Sequence, residues 1–365
     1  MINENYYFFS NLIIEDIAKS LMLMKKTKNN LFYLLLDLWS HFRRRRKIQF
    51  FGLLLLSIIT AFAEILSLGA VLPFLGALTD PNTLFDAPFM QTFLRVFSIT
   101  TPQEMLFPLT LVFIGSAIIA GITRLLQLWA NTRVSFSTGA ELSVEVYRRT
   151  LYQSYSVHVT RNSSAIINAV STKIPLVTNG TIVPVISLIS SGFILVSIVS
   201  TLLYINPVIS LLAFAGFSFT YLLIIMITRS PLKNNGVTIA EKSTLMVKTM
   251  QEGLGGIRDV LIDGAQKLYY QTHAKAVLPL RRAQAINQFI GQSPRFVIEA
   301  IAIALIGGLS YWLMGQPGSL SNNIPILGTL VFGAQRMLPS LQLIYVSWAQ
   351  LQSNTAVVSD VLEFL

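Results

Sequence analysis

Long apolar stretches dominate this sequence, and six of them reach the length of a membrane-spanning helix. A helix needs about 20 predominantly apolar residues to cross a bilayer. The six stretches lie at 48–79, 106–130, 180–204, 207–228, 296–314 and 324–350. Only 12% of the 365 residues are charged, about half of the roughly 25% found in soluble domains. The sequence therefore predicts an all-α membrane protein with six transmembrane helices.

The longest polar connection, 229–295, predicts a helical hairpin outside the membrane. Between 237 and 252 the larger apolar residues return at helical spacing, with charges between them. Glycines then end this arm at Gly253, Gly255 and Gly256, because glycine lowers helix stability and frees the backbone to turn. A short segment at 257–268 follows, and a second arm runs back towards Pro294. Each arm of some 22 residues would be about 30 Å long.

The charge distribution predicts which side of the membrane each connection occupies. The hairpin at 229–295 carries ten basic and four acidic residues, and the connection 131–179 carries five basic and two acidic ones. The connection that follows the first span is net negative, and the loop 315–323 has no charge. Since positively charged loops stay inside, we expect both polar connections and both termini in the cytoplasm, and the protein in the cytoplasmic (inner) membrane.

The amino end divides into two segments. Residues 1–30 form a polar and aromatic segment that we interpret as a cytoplasmic tail. At 31–47, a short apolar and aromatic run (LFYLLLDLWSHF) leads into RRRRK. Twelve residues cannot span a bilayer but can lie in its interface, which predicts an interfacial elbow helix. Beside a span, the basic run is better explained as an anchor to anionic membrane lipid than as a nucleic-acid or nuclear signal, and we expect no nucleic-acid partner.

Six spans with two long internal hairpins resemble the transmembrane domain of ABC exporters. GLGGIRDVLIDGAQKLYY (253–270) is similar to the second coupling segment of that family, and YSVHVTRNSSAIINAV (155–170) is similar to the first. Three further segments resemble the lipid-linked oligosaccharide flippases and related polysaccharide or glycolipid exporters: NPVISLL (206–212), SPRFVIEAI (293–301) and GAQRMLPSLQLIY (333–345). The likeness covers about 31–365, with the exporter-type transmembrane domain at 48–365.

The resemblance implies a dimer of permease chains, either identical or with a sibling, driven by an ABC ATPase. It further implies that hairpin 229–295 reaches the partner's ATPase domain, while 131–179 stays nearer its own. The residues expected to transmit force at the two tips are Tyr155, His158, Arg161, Ile257, Arg258, Asp259, Asp263 and Tyr269.

No ATPase motif is present in this sequence. The phosphate loop G-x-x-x-x-G-K-[ST] and an LSGGQ-like signature are both absent. Gly253-x-Gly255-Gly256 lacks the following Lys-Ser/Thr and a preceding strand, so it is a poor nucleotide cradle. We therefore expect no cofactor in this chain, with ATP and Mg bound by a partner ATPase, or else a truncated or split gene product.

Four charged residues fall within or at the edge of predicted spans: Glu64, Arg124, Glu299 and Arg336. Ionisable groups there are costly and tend to face a bundle interior or an aqueous cavity. Arg336 and Arg124 are candidates to hold an anionic headgroup, because guanidinium suits phosphate. The alternative is an Arg–Glu pair that joins helices, and Glu64 and Glu299 fit that role better. Pro339, beside Arg336, is a candidate hinge.

No catalytic or metal-binding set is recognisable. The chain has no cysteine, and His41, His158 and His273 are too far apart in sequence to match a metal site. A secondary transporter is disfavoured because no broken-helix midplane site is evident. Three functions stay open: export of a lipid-linked saccharide or glycolipid, export of a peptide or other hydrophobic compound, and a degenerate membrane subunit that does not transport.

Overall fold

The computed structural model describes residues 31–160, 163–205, 207–314 and 320–365. All regular elements in these ranges are helical, which confirms the predicted all-α fold. Helices α1 (Leu31–Ser40), α2 (Arg44–Gly69) and α3 (Val71–Thr79) come first. The predicted tail, 1–30, lies outside the described residues.

The connection after the first span folds into short helices: α4 (Pro81–Phe85), a 3-10 turn (Pro88–Met90), α5 (Gln91–Phe97) and a second 3-10 turn (Pro102–Met105). Asp80 caps α4 by accepting a hydrogen bond from the Thr83 amide at 3.2 Å and one from its hydroxyl at 2.6 Å. These bonds favour the ionised carboxylate and lower the pKa of Asp80. The connection is therefore a packed cap on this end of the bundle.

The second span continues without a break into a polar arm. Helix α6 (Leu106–Leu151) has 46 residues, which gives it a length of about 69 Å, more than twice the ~30 Å hydrocarbon core. After α6 come α7 (Tyr155–Thr160), α8 (Ser163–Asn168), α9 (Ile174–Val177) and α10 (Val183–Ile205), with π-helical turns at Ala169–Lys173 and Thr178–Ile182. Pro175 and Pro184 lie beside these turns, and proline removes the amide that would complete regular α-helical bonding.

The predicted hairpin is present, and its first arm is also continuous with a span. Helix α11 (Pro207–Gly255) has 49 residues. It is followed by α12 (Ile257–Ile262), α13 (Gln266–Gln292), α14 (Pro294–Met314) and α15 (Leu320–Leu362). Gly264, between α12 and α13, has φ +62°, a left-handed conformation that glycine adopts without strain. The end of the bundle that carries α7 and α12 is hereafter the hairpin end.

Five helical stretches in the described residues are long and apolar enough to cross a membrane: Arg44–Thr79, Pro102–Leu151, Ser163–Ile205, Phe214–Gly255 and Gln266–Gly308. They contain the first three predicted spans and overlap the fourth and fifth at 214–228 and 296–308, so this is a multi-pass integral membrane protein. The sixth predicted span, 324–350, falls within α15. The side chains of 320–327 are outside the described set, and this span stays a prediction.

The elbow helix α1 is packed onto the bundle by one face. Leu34 and Leu38 are buried in an apolar cluster with Val146 of α6 and Val357 of α15. Phe32, on the other face of α1, is 64% exposed. One face of α1 thus contacts protein at the hairpin end, and its other face exposes apolar side chains.

Candidate functional site

The most deeply buried charge in the described residues is Glu64 on α2, which joins two arginines. Its side chain is fully buried. Arg336 of α15 donates from Nη1 to Glu64 Oε2 at 2.5 Å, and its Nη2 donates to Ser67 Oγ at 3.0 Å. Arg124 Nε of α6 lies 2.5 Å from Glu64 Oε1. That second contact is an ion pair by distance, although its angle does not make it a hydrogen bond. One carboxylate therefore connects three long helices, α2, α6 and α15.

The geometry of this cluster fits a role in joining helices. It does not fit direct substrate binding by every residue of the cluster. Glu64 has no exposed surface with which to touch a substrate, whereas the Arg124 and Arg336 side chains are 42% and 25% exposed. Two guanidiniums facing one carboxylate leave a net positive charge inside the bundle. Substrate contact by Arg124 or Arg336 stays a prediction, with Glu64 holding both in place.

Glu299 does not join this cluster. It accepts a 2.7 Å hydrogen bond from Arg295 Nε, four residues earlier on α14, and both side chains are about half exposed. The pair lines a cavity of about 410 Å³ between α11, α14 and α15, together with Gln335, Pro339 and Gln342. Pro339, the predicted hinge, therefore lies in the wall of this cavity, beside the Arg295–Glu299 pair.

A second cavity, of about 290 Å³, lies further along α15 towards the hairpin end, and its lining is rich in amides. Its amide-bearing residues are Gln284, Asn287, Gln288 and Gln292 of α13, and Gln350 and Asn354 of α15. Each amide offers both donors and acceptors. The side chains that line the two cavities form a strip along α15 from 335 to 354, and they can hydrogen-bond a polar headgroup. We refer to the polar side chains that line these two cavities as the amide track.

A hydrogen-bond relay holds the wall of the amide track. Asn235 Nδ2 of α11 donates to Asn287 Oδ1 at 2.8 Å, and Asn287 Nδ2 donates to Ser353 Oγ of α15 at 2.6 Å. Gly236 allows α11 to approach α15 closely, because a Cβ there would lie 2.1 Å from the Ser353 carbonyl oxygen. The sequence analysis missed this site, although glutamines four residues apart at 284, 288 and 292 were a readable signal for one polar helix face.

The tip of the long hairpin presents an exposed apolar surface. In α12 only Val260 is buried, while Ile257, Leu261 and Ile262 are 46%, 58% and 71% exposed. The predicted coupling residues Arg258 and Asp259 are exposed on the same short helix, and Asp263 is exposed immediately after its last residue. Exposed apolar groups rimmed by charges are typical of a protein-binding surface.

Tyr269 packs against the end of α11, next to this tip. A Cβ added at Gly253 would lie 3.3 Å from Tyr269 Cδ1, so the ring lies against the bare backbone at the end of α11. Nearby, Thr249 Oγ1 and His273 Nδ1 are 3.0 Å apart and connect the two arms. The glycine that was predicted to end the helix therefore also makes room for the ring.

The first tip is the short helix α7. Tyr155 is 83% exposed, His158 is partly exposed, and Arg161 lies outside the described residues. The arm behind it carries Glu145, which accepts hydrogen bonds from Arg148 and Arg149 at 2.9 and 2.8 Å. These bonds, first from Arg148 and then from Arg149, lower the pKa of Glu145 to about 2.

The histidines do not form a metal site. In the described residues no group of three or more His, Cys, Asp or Glu side chains could hold a metal ion. His41 Nδ1 lies 2.9 Å from the Asp37 carbonyl oxygen, and His273 contacts Thr249. The three histidines lie on different helices or loops.

Comparison with known families identifies a match for this architecture. Residues 48–290 match the family model described as ABC transporter transmembrane region. The matched range begins at the first span and ends in α13, so it includes both hairpins and both tips. No curated protein matches the chain.

Proposed function

This chain belongs to the family of ABC transporter transmembrane regions, and we propose that it is the permease subunit of an exporter or flippase for a lipid-linked saccharide or glycolipid. Such a transmembrane domain works with an ABC ATPase. In the proposed assembly the ATPase binds ATP and Mg, two permease chains form the pathway, and the hairpin end faces the cytoplasm. This chain converts ATPase movement into movement of its spans.

The geometry of the hairpins supports a lever mechanism. Helices α6 and α11 are each uninterrupted from a predicted span to a tip. A displacement applied at α7 or α12 is therefore carried into the membrane along one continuous helix, in which Pro231 removes a single backbone hydrogen bond from α11. The buried Glu64 cluster and the Asn235–Asn287–Ser353 relay then connect that helix movement to α15, which carries the amide track.

The amide track is the observation that carries the substrate class. A saccharide presents many hydroxyls, and amides can both donate to and accept from them. Arg295, in the same set of cavities, offers a guanidinium suited to the phosphate that links sugar to lipid. A hydrophobic compound without polar groups would leave unpaired those amide donors and acceptors that are not already bonded within the protein when it displaced water from them.

The substrate proposal is tested by identifying what remains bound to the protein. The chain is purified gently from native membranes, and native mass spectrometry identifies co-purifying lipids. We expect saccharide-bearing lipids with the wild type and their loss in Gln342→Leu/Gln350→Leu. The exposed Gln266, which lies outside both cavities, provides the matched control Gln266→Leu. Bound peptides, or equal retention in both variants, would contradict the proposal.

The coupling proposal is tested by cysteine crosslinking. Because the sequence has no cysteine, single substitutions give an unambiguous reactive site. We expect Asp259→Cys and Tyr155→Cys to crosslink an ABC ATPase in native membranes, with the product identified by mass spectrometry. Lys275→Cys, exposed on the α13 arm away from the tip, is the control. Failure at every tip position would argue for a subunit that does not couple to an ATPase.

A further inference from the structure

An apolar groove lies between the elbow helix α1 and the spans α2 and α10, away from the amide track. It has a volume of about 330 Å³, and its walls include Leu35, Trp39, Phe50, Leu54, Val185 and Ile186. The volume is at the lower end of the ~300–1,000 Å³ typical of ligand sites. At its deep end Ser57 and Ser190 hydrogen-bond to each other at 2.9 Å, so their hydroxyls are already satisfied. Thr181 also lines the groove, and its buried Oγ1 has no hydrogen-bond partner in the described residues. The other walls are mainly apolar, so the groove suits an apolar chain.

The depth of the groove matches one leaflet of a bilayer. The lining runs from Phe50 to Ser57 on α2 and from Thr181 to Ser190 on the other side, which at 1.5 Å per residue gives a depth of about 10–14 Å. Half of a ~30 Å hydrocarbon core is about 15 Å. A single acyl chain running beside α2 from the hairpin end would thus be covered over nearly its whole length.

The walls of the groove are fixed by the protein rather than by lipid. Leu34 and Leu38 of α1 are 4% and 3% exposed and pack in a cluster with Val357 and Val358 of α15, and Leu38 also lines the groove. Trp39 and Phe42 of the elbow stack around Phe50 of α2, with ring centroids 5.2 and 5.6 Å apart from it. The elbow is thus a built wall, not a helix floating in the interface.

The mouth of the groove is strongly basic. Phe42 lines both the groove and an adjoining polar cavity of about 250 Å³ that Arg43 and Arg46 also line. Arg46 is paired with Glu141 at 2.8 Å. Arg43, Arg44 and Arg45 are exposed, and none of the three forms an ion pair with a described residue. Unneutralised guanidiniums therefore stand where the headgroup of a lipid in the groove would lie.

We propose that this groove binds one anionic phospholipid, with an acyl chain between α1, α2 and α10 and its phosphate at Arg43–Arg45. Guanidinium groups bind phosphate through paired hydrogen bonds, and each basic residue at a membrane surface favours anionic lipid. A zwitterionic lipid offers the same chain but brings a cation to a site that is already positive. The bound lipid joins the elbow to the first and third spans. This site is independent of the transported substrate.

Trp39 lines the groove and serves as the probe. A variant with Trp129→Phe, Trp312→Phe and Trp348→Phe keeps Trp39 alone, and it is reconstituted in mixed phosphatidylglycerol and phosphatidylcholine vesicles. The headgroup ratio is held constant while bromine, a fluorescence quencher, is placed on the chains of one lipid or the other. We expect the share of Trp39 quenching caused by brominated phosphatidylglycerol to be at least twofold larger than the mole fraction of that lipid. Quenching that tracks mole fraction in both mixtures would overturn the proposal.

Two variants separate the site from bulk lipid. Adding Arg43→Gln, Arg44→Gln and Arg45→Gln to the single-tryptophan protein is expected to abolish the preference, and a preference that persists would overturn the headgroup assignment. Phe62 is 63% exposed on α2. It is replaced by tryptophan in the single-tryptophan protein with Trp39→Phe added, so that it is the single tryptophan, and its quenching is expected to show no preference for either lipid. If the arginine variant fails to fold, the test uses delipidated wild type. We expect phosphatidylglycerol to raise its Tm more than phosphatidylcholine does, and an equal rise would overturn the proposal.

Discussion

The Glu64 carboxylate accepts a 2.5 Å hydrogen bond from Arg336, a residue 272 positions later in the chain. Their contact fixes the start of the fold against its last described helix, and Arg124 adds the second span to the same carboxylate. Buried ionic groups are costly unless paired, so the three helices must stay in register at this level. The cluster is therefore a candidate pivot about which the spans move.

Replacing Glu64 is expected to lower the free energy of unfolding more than replacing any other carboxylate residue in the described spans. Glu64→Gln leaves two arginines facing each other without a counter-charge, and removing one partner of a buried pair typically costs about 3–5 kcal/mol. Thermal unfolding in detergent measures the effect as a fall in Tm. Glu299→Gln is the matched control, because exposed pairs contribute about 1 kcal/mol or less. Equal shifts in the two variants would show that the cluster does not hold the bundle.

Gly236 provides a test of the close packing that positions the amide track. In Gly236→Ala the new methyl would lie 2.1 Å from a backbone oxygen of Ser353, and backbone cannot move aside as a flexible side chain can. We expect a loss of about 1–3 kcal/mol, as for other overpacked sites, visible as a lower Tm. Gly115→Ala on α6, where no atom lies within 4 Å of the added Cβ, should leave the Tm unchanged or slightly raised. An unaffected Gly236→Ala would mean that α11 and α15 are not so close.

The Glu145 ion pairs predict an acid dependence on the α6 arm. Glu145 lies 15 residues beyond the predicted span, and its pKa of about 2 is below the ordinary 4.5. A lowered folded pKa stabilises the folded state fully above about pH 4.5, and that stabilisation is lost as the pH falls towards 2. Because these pairs are exposed, the contribution is about 1 kcal/mol or less.

The measurement for Glu145 is the Tm difference between wild type and Glu145→Gln as a function of pH. We expect a constant difference above pH 5 that shrinks steadily between pH 4.5 and pH 2. In an Arg148→Gln/Arg149→Gln background the same substitution should have little effect at any pH. A difference that grows on acidification would contradict the assignment.

The spans and hairpins were predictable because they depend on local sequence. Apolar length gave the spans, and helical spacing with glycine and proline gave the arms of 229–295. The boundaries were less accurate, since the arms and spans proved to be single helices such as α6 and α11. No local signal marks where a helix leaves the membrane when it continues in the same conformation.

The partners within the candidate site were not predictable in the same way. Glu64, Arg124 and Arg336 were each recognisable as costly charges, but their meeting depends on how three distant spans pack. The polar face at 284, 288 and 292 was visible in the sequence and was overlooked because amides carry no charge. The burial of Leu34 and Leu38 against α15 depends on the tertiary fold alone.

The exposed apolar face of α12 predicts a variant that uncouples the transporter without unfolding it. Leu261→Glu/Ile262→Glu places two charges on side chains that are 58% and 71% exposed, so the Tm should change by less than that of Glu64→Gln. If the face binds an ABC ATPase, charges in that interface are costly, and co-purification of the ATPase should fall at least tenfold. Leu278→Glu, 69% exposed on the α13 arm, controls for the loss of any exposed leucine and should retain the ATPase. Equal retention by the tip and arm variants would place the docking surface elsewhere on the hairpin end and leave α12 without the force-transmitting role proposed for it.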